Sequence, residues 1–274
     1  SSASNYDASR VAILKDYGTH IKSVDDNAVV ILEHFADSEN KDLAAAGMKV
    51  WRNINYAYGQ AAQGTQKDSG LGALWTGSTG MRFGGYVGYM ESHDEERNAF
   101  RQKTYGEAEV KGDLAAMMQR LELNAAFFLT VPGPKMIWQF GELGYDISIE
   151  EGGRTGRKTP KWEYLDVPER KALYDTYCDL IKFRRDNPEF FDQTASFSWK
   201  VGQNDWDNGR FITCTAGSKS FVVVGNFTVQ EKTFTVEMPS DGTWVNQFDK
   251  SEVYTGGSLN ITLPAGDFRL LTNF

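Results

Sequence analysis

Cysteine and long apolar runs are both scarce in this chain. Only 2 of its 274 residues are cysteine. Cys178 falls in a helical pattern and Cys214 in a strand pattern further along, so we expect two buried free thiols and disfavour a disulfide between them. No apolar run approaches the length of a transmembrane helix, and no signal peptide is visible. The cellular compartment therefore stays unknown, and a secreted or periplasmic location stays open for any longer protein that contains this chain.

Clustered positive charge is also lacking. The formal net charge is −8, and charged residues of both signs are spread along the chain. This distribution argues against nucleic acid and against an anionic membrane as partners. An apolar content of 41% with 13% aromatic residues is typical of a globular protein with a substantial core. A length of 274 residues fits one large domain or two smaller ones.

Helical and strand patterns alternate over residues 1–190. Apolar residues recur at helical spacing over 7–24, 40–51, 112–130 and 168–185. Short apolar runs predict strands near 29–33, 53–57, 86–91 and 135–140, although the second of these also fits a helix continuation. Ser4 or Asn5 is the expected N-cap of the first helix. Alternation of this kind predicts βαβ units and a parallel sheet.

The pattern changes near residue 190. Residues 191–274 carry short segments rich in aromatic and β-branched side chains, such as 211–215 and 221–227. Turns rich in Gly, Asn, Asp and Ser separate these segments. The pattern predicts an antiparallel β-sandwich of about eight short strands. We therefore expect two domains, residues 1–190 and residues 191–274.

Two of the predicted strands end in a carboxylate. Glu33 follows the apolar run 28–32, and Asp94 follows the aromatic run 86–90 with His93 beside it. In a β/α barrel the C-terminal ends of the strands face the active site, because the βα loops build it. We favour paired catalytic carboxylates over two unrelated surface residues. A metal site at Glu91, Asp94, Glu95 and Glu96 is disfavoured, because consecutive strand residues alternate faces and a solvated acidic rim is the simpler explanation.

Four segments carry a family resemblance. The run Tyr86-Val-Gly-Tyr-Met-Glu-Ser-His-Asp94 resembles the fourth signature of the α-amylase superfamily, with Ser92 in place of the usual Asn. The run Ala28-Val-Val-Ile-Leu-Glu33 is similar to the third signature. Pro132-Gly-Pro-Lys-Met-Ile-Trp-Gln-Phe-Gly-Glu142 is similar to the eighth strand with its preceding turn, and 154–162 to the loop that follows it. The four segments occur in the order that the family has.

The resemblance implies both a fold and a set of roles. The fold would be about the second half of a (β/α)8 barrel followed by a C-terminal β-sandwich domain. Glu33 would be the general acid/base, with apolar surroundings that favour its protonated form, and Asp94 would stabilise the transition state of a retaining α-glucan hydrolase. His93 would bind the sugar where cleavage occurs, and His34 would line the neighbouring subsite. The partner implied is an α-glucan oligo- or polysaccharide.

The family's nucleophile is missing from the chain. It comes from a Gly-x-Arg-x-Asp segment, and neither that segment nor the family's Asp-x-x-x-Asn-His segment occurs here. A retaining glycosidase needs both an acid/base and a nucleophile. We therefore expect the C-terminal part of a longer enzyme, inactive alone and prone to self-association through open barrel edges. No cofactor is evident, and this segment gives no support for the Ca²⁺ that a parent enzyme would be able to bind.

Two further functions stay open at this stage. A non-catalytic glucan-binding protein derived from an amylase would also lack the nucleophile, and a transglycosylase would use the same carboxylates with a sugar as the acceptor. Trp75, Trp138 and Trp162 are candidates for stacking on sugars, with core packing as the default for each. Trp199, Trp206 and Trp244 would mark starch binding by the sandwich, but packing is favoured. For Arg154 and Arg157, salt bridges that anchor the loop are favoured over substrate binding.

Overall fold

The computed structural model describes residues 5–274, which divide into two compact units. The first, here the sheet unit, comprises residues up to Ile54, Gly72–Tyr89 and Gly133–Met136. The second, here the helix–sandwich unit, comprises Asn55–Leu71, Met90–Pro132 and Ile137–Phe274. The change from helices to antiparallel strands falls between residues 191 and 196. A domain boundary at residue 190 stays a prediction.

Helices dominate the chain up to residue 186. In chain order they are α1 (Ala8–Val24), α2 (Asn40–Ala45), α3 (Asn55–Gln63), α4 (Thr76–Thr79), α5 (Asn98–Tyr105), α6 (Leu114–Leu129) and α7 (Pro168–Asp186). The strands in this part of the chain are β1 (Ile31–Leu32), β2 (Lys49–Asn53), β3 (Tyr86–Tyr89) and β4 (Lys135–Met136). Afterwards come β5 (Ser196–Lys200), β6 (Arg210–Ala216), β7 (Lys219–Gly225), β8 (Lys232–Glu237), β9 (Thr243–Asn246), β10 (Val253–Thr255), β11 (Ser258–Leu263) and β12 (Phe268–Thr272).

The sheet unit is built on a four-stranded parallel sheet in the order β1-β2-β3-β4. Val50 on β2 is fully buried and packs with Ala44, Met81 and Tyr86. A second apolar cluster in this unit packs Val11 of α1 against Leu43 and Met48. Because the strands are parallel, their C-terminal ends lie at one edge of the sheet.

One strand and one helix differ in position from the sequence prediction. The strand expected near 53–57 lies at Lys49–Asn53, and the following residues form α3. The helix expected over 40–51 ends at Ala45, because Gly47 takes a φ of +89° that stops it. The run Lys49-Val-Trp-Arg-Asn53 then has the β-branched and aromatic residues that favour a strand, whereas the Ala- and Gln-rich run after it favours a helix.

Other boundaries are shorter or shifted. Strand β1 contains 2 residues where we expected 29–33, and β4 contains 2 where we expected 135–140. Phe140 takes a positive φ of 59°, which is incompatible with a continuing strand. The N-cap of α1 is Asp7, whose side chain accepts from the N–H groups of Ser9 and Arg10. Asn5 is therefore not the cap, and the alternative at Ser4 lies outside the described residues.

One face of α1 is apolar and exposed. Ile13, Tyr17 and Val24 are 55%, 63% and 80% exposed. Val29, just before β1, is 65% exposed, and within residues 5–274 the strand β1 pairs only with β2. An open strand edge flanked by apolar side chains is a surface that recruits partners.

The sandwich lies in the helix–sandwich unit and has the expected eight strands. Six form one antiparallel sheet in the order β10-β9-β12-β7-β6-β5, and β11 pairs with β8. Residues from both sheets form one buried core, which includes Val222, Phe234, Trp244 and Ile261. Alternation of buried and exposed residues along β8 and β11 turns one face of each strand to this core.

Arg120 on α6 joins the helices of this unit to the sandwich. The side chain is 2% exposed. Its guanidinium donates to the carbonyls of Ala61 and Ala62 at the end of α3, at 2.7 and 2.9 Å. It also donates to the carbonyls of Phe227 and Thr228 after β7, at 2.6 and 3.0 Å. One side chain thus satisfies four backbone carbonyls from two parts of the unit.

The cysteines are free, but only one is buried. Cys214 on β6 is buried, whereas Cys178 on α7 is exposed, so the expectation of two buried thiols was wrong for Cys178. Burial raises the pKa of the Cys214 thiol to about 12, which keeps it protonated and unreactive at neutral pH. Over residues 5–274, the longest and most apolar helices fall short of what a membrane crossing requires.

Candidate active site

Glu33 lies in the sheet unit, directly after β1. The end of β1 is a C-terminal end of the parallel sheet, which is the position that the sequence predicted for this carboxylate. The side chain is exposed, so in the described part of the chain the expected apolar enclosure is not formed. The structure therefore presents Glu33 as an accessible carboxylate at the strand-end edge.

His34 belongs to a buried ionic cluster of the same unit. Its Nε2 lies 2.8 Å from Glu39 Oε2. The Glu39 carboxylate is fully buried and also accepts from Arg10 Nε at 3.0 Å and from the Asp7 N–H at 2.7 Å. The hydrogen bond from Arg10 is the largest of the influences that lower the pKa of Glu39 to about 2. His34 thus has a structural partner, and its contact with substrate stays a prediction.

The helix–sandwich unit contains a pocket of about 490 Å³ around the His-Asp pair. One wall comes from the segment after β3, and the other from the segment between β4 and α7. The lining residues are Ser92, His93, Asp94, Arg97, Trp138, Gln139, Ile147, Ser148, Ile149, Arg154, Thr155, Gly156, Arg157, Lys158 and Pro160. This mixture of carboxylate, imidazole, cations and one indole suits a polar ligand with an apolar face.

His93 and Asp94 form a pair that solvent reaches. His93 Nε2 lies 3.3 Å from Asp94 Oδ2, and the two side chains are 66% and 56% exposed. The hydroxyl of Ser92 accepts from the Asp94 N–H at 3.1 Å, so the Ser at this position supports the turn. The His93 ring lies 5.9 Å from the Trp138 ring, centroid to centroid, on the pocket wall. The sequence prediction that His93 and Asp94 act at one place is compatible with this geometry.

Arg154 ties the second wall to the first. Its Nη2 donates to the Asp94 carbonyl at 2.6 Å and lies 3.8 Å from Asp94 Oδ1. Its Nη1 lies 3.4 Å from Glu150 Oε1 on its own loop. The expectation that Arg154 anchors a loop is confirmed. Arg157 lies exposed on the pocket lining, and its role stays a prediction.

Comparison with known proteins gives consistent results. No protein-family model matches the chain. Over 152 residues it is 29% identical to the 1,4-alpha-glucan branching enzyme of Bordetella pertussis, a match that covers 54% of this chain and 20% of that enzyme. The branching enzyme of Dechloromonas aromatica is 28% identical over 190 residues, which are 65% of this chain and 29% of the enzyme. The chain thus spans a minor part of the length of these relatives.

Solved structures share the fold. An Anoxybacillus alpha-amylase superposes with a TM-score of 0.70 at 14% identity, over 96% of this chain and 56% of that chain. A cyclomaltodextrinase superposes with a TM-score of 0.69 at 19% identity, over 95% of this chain and 43% of that chain. The chain is similar to 1,4-alpha-glucan branching enzymes in sequence and to an alpha-amylase and a cyclomaltodextrinase in fold. Its fold is about the second half of a (β/α)8 barrel followed by an antiparallel β-sandwich, as predicted.

The tryptophans of this α-amylase relative separate into two groups. Trp138 lines the pocket, and Trp162 is 70% exposed with its ring 4.9 Å from that of Phe140. In the sandwich, Trp206 and Trp244 are buried. The packing explanation is confirmed for these two, whereas Trp138 lines the same pocket as His93 and Asp94.

Glu91 is a buried carboxylate that sequence reasoning did not identify. The side chain is 8% exposed rather than part of a solvated rim, so that expectation was wrong for Glu91. Its Oε1 accepts from the Asn98 N–H at 2.7 Å, and burial raises the pKa of the carboxyl. Glu96 accepts instead from Ser148 Oγ and from the Ile149 N–H, each at 2.9 Å. The two carboxylates therefore have separate donors, the Asn98 N–H for Glu91 and the 148–149 segment for Glu96.

Proposed function

We propose that this chain supplies the acid/base and the transition-state stabiliser of a retaining, α-glucan-active glycoside hydrolase of the α-amylase type. The observation that carries the proposal is the His93–Asp94 pair, which is exposed in a pocket beside Trp138. In the chain this pair follows shortly after the parallel strand β3. Strand ends of this kind carry the catalytic groups of β/α barrels. Glu33, also at a strand end, fits the second role.

In the proposed reaction Glu33 protonates the leaving glycosidic oxygen. Positive charge then develops on the sugar ring, and the Asp94 carboxylate stabilises it by charge and by hydrogen bonds to ring hydroxyls. His93 donates a hydrogen bond to the sugar, and Trp138 offers an indole face on the pocket wall. The nucleophile that forms the covalent intermediate is not encoded in this chain. We therefore propose that the chain alone does not turn over substrate.

A glucan transferase is the second candidate. The curated relatives named above are 1,4-alpha-glucan branching enzymes, and such an enzyme uses a sugar hydroxyl where a hydrolase uses water. The roles of Glu33 and Asp94 are the same in both reactions. An α-glucan as ligand is further supported by two proteins of similar fold, an alpha-amylase solved in complex with acarbose and AmyP solved in complex with maltose.

Calorimetric titration of the purified chain with maltotriose tests the proposal. We expect binding, with loss of roughly tenfold or more in affinity for His93→Ala and for Asp94→Asn, because each removes a polar contact in the pocket. His20→Ala, an exposed histidine on α1, is the matched control and should bind like the unaltered chain. Absence of binding, or equal binding by all variants, would contradict the proposal. Release of reducing sugar by the chain alone would contradict the missing nucleophile.

A further inference from the structure

The segment Glu91–Arg97, here the site loop, carries His93 and Asp94 and is closed at its base by one buried side chain. Asn55, the first residue of α3, is 3% exposed. Its Nδ2 donates to the Met90 carbonyl at 2.7 Å, where the chain enters the loop. The same Nδ2 donates to the Glu96 carbonyl at 2.9 Å, near the loop exit. Both N–H groups of the amide are thereby used, and together they hold the two ends of the loop.

A second buried bond closes the loop beside the first. Glu91 Oε1 accepts from the Asn98 N–H at 2.7 Å, at the start of α5. A carboxylate is favoured there by the free N–H groups and the dipole of the helix N-terminus. Gly141 makes room for it, because a Cβ at that position would lie 2.7 Å from Glu91 Oε2. Buried hydrogen bonds therefore fix the base of the loop both where the chain enters it and where the chain leaves it.

The far side of the loop is tied to the opposite pocket wall. The Glu96 side chain accepts from Ser148 and Ile149, and Arg154 returns to the Asp94 carbonyl at 2.6 Å. These contacts join residues 94–96 of the site loop to residues 148–154. Because His93 and Asp94 lie between the two ends of the loop, a shift of its base would displace both residues and strain these contacts. The loop is thus held at its base by Asn55 and at its tip by the second wall.

We infer that Asn55 is a positioning residue of the candidate active site, which fixes the site loop so that His93 and Asp94 face the ligand. The inference rests on the proposed function and extends it to a residue outside the pocket. A loop that is already ordered binds without the entropic cost of ordering it, so the buried amide increases affinity although it does not touch the ligand.

The test uses Asn55→Asp in the full chain, with maltotriose as the probe. The substitution keeps the side-chain shape but replaces the donor by an acceptor that faces two carbonyls, so loss of two hydrogen bonds should weaken binding by about tenfold or more. Asn208→Asp makes the same change at an exposed sandwich residue and should leave affinity unchanged. If Asn55→Asp fails to fold, Asn55→Ser, whose hydroxyl retains one donor, is used in the same measurement instead.

A double-mutant cycle separates positioning from a general structural role. If Asn55 acts through the site loop, its substitution should cost much less affinity in an Asp94→Asn background than in the unaltered chain. Equal losses in both backgrounds would overturn the inference, as would unchanged affinity of Asn55→Asp when the unaltered chain binds. Absence of maltotriose binding by the unaltered chain would instead overturn the proposed function itself. The outcomes of the two ideas are therefore distinguishable.

Discussion

Replacing Arg120 by methionine should lower the free energy of unfolding, because this side chain joins the helices to the sandwich. The methionine fills most of the space but removes every donor, so the carbonyls of Ala61, Ala62, Phe227 and Thr228 each lose a charged donor. Ala61 and Ala62 keep a second donor, from the Gly64 N–H and from Gln102 Nε2. Hydrogen bonds to a charged donor contribute about 1.5–3 kcal/mol each, but they are not additive and the site relaxes. We therefore expect a loss of about 3–5 kcal/mol in the free energy of unfolding.

Urea denaturation followed by tryptophan fluorescence measures this loss. A decrease of that size is a large fraction of the roughly 5–15 kcal/mol typical of a domain, and it should lower the midpoint by about 1–2 M urea. Arg185→Met is the matched control, since that arginine is 73% exposed on α7 and should change stability by less than about 0.5 kcal/mol. A loss below about 1 kcal/mol for Arg120→Met would refute the view that this side chain joins the two parts.

Three further predictions concern pH and association. The pKa of Glu39 in the folded chain is lowered to about 2, so this carboxylate stabilises the fold above the ordinary carboxyl pKa. The difference in unfolding free energy between the unaltered chain and Glu39→Gln should therefore shrink as the pH falls toward 2. Burial raises the pKa of Glu122 to about 7, so the folded state holds the proton more tightly than the unfolded state. The free energy of unfolding should therefore fall by about 1–3 kcal/mol as the pH rises from 4.5 to 7.5. In urea titrations, Glu122→Gln should abolish this dependence on pH. Self-association through the apolar face of α1 predicts concentration-dependent sedimentation that Ile13→Glu with Tyr17→Glu abolishes, whereas Ile181→Glu on α7 preserves it; a strictly monomeric chain would contradict this.

Strand-end carboxylates were predictable because parallel β/α architecture places them. Glu33 follows an apolar run and Asp94 an aromatic one, and both patterns can be read without tertiary information. The alternation of short strands after residue 190 was equally readable, since turn residues mark each boundary. The position of β2 was not, because Trp51 and Val50 fit either a helix or a strand until Gly47 is known to take a positive φ.

The supporting residues of the site were beyond sequence reasoning for a physical reason. Asn55 contacts carbonyls 35 and 41 positions later in the chain, and no local pattern encodes such a bond. Glu91 looks like its neighbours in an acidic run, but packing buries it and leaves Asp94 exposed. Residue type therefore indicated the chemistry of the site, whereas long-range packing determines which carboxylate is available for it.

The most direct test of the central proposal is leaving-group dependence in a protein that joins this chain to a segment carrying the nucleophile. General acid catalysis typically contributes a factor of about 10²–10⁴, so Glu33→Gln should slow starch cleavage by at least that factor. A maltotrioside with an activated phenolate leaving group needs no protonation, so its cleavage to the covalent intermediate should be nearly unaffected. Asp94→Asn should slow both substrates. Equal slowing of both substrates by Glu33→Gln, or none, would contradict the account.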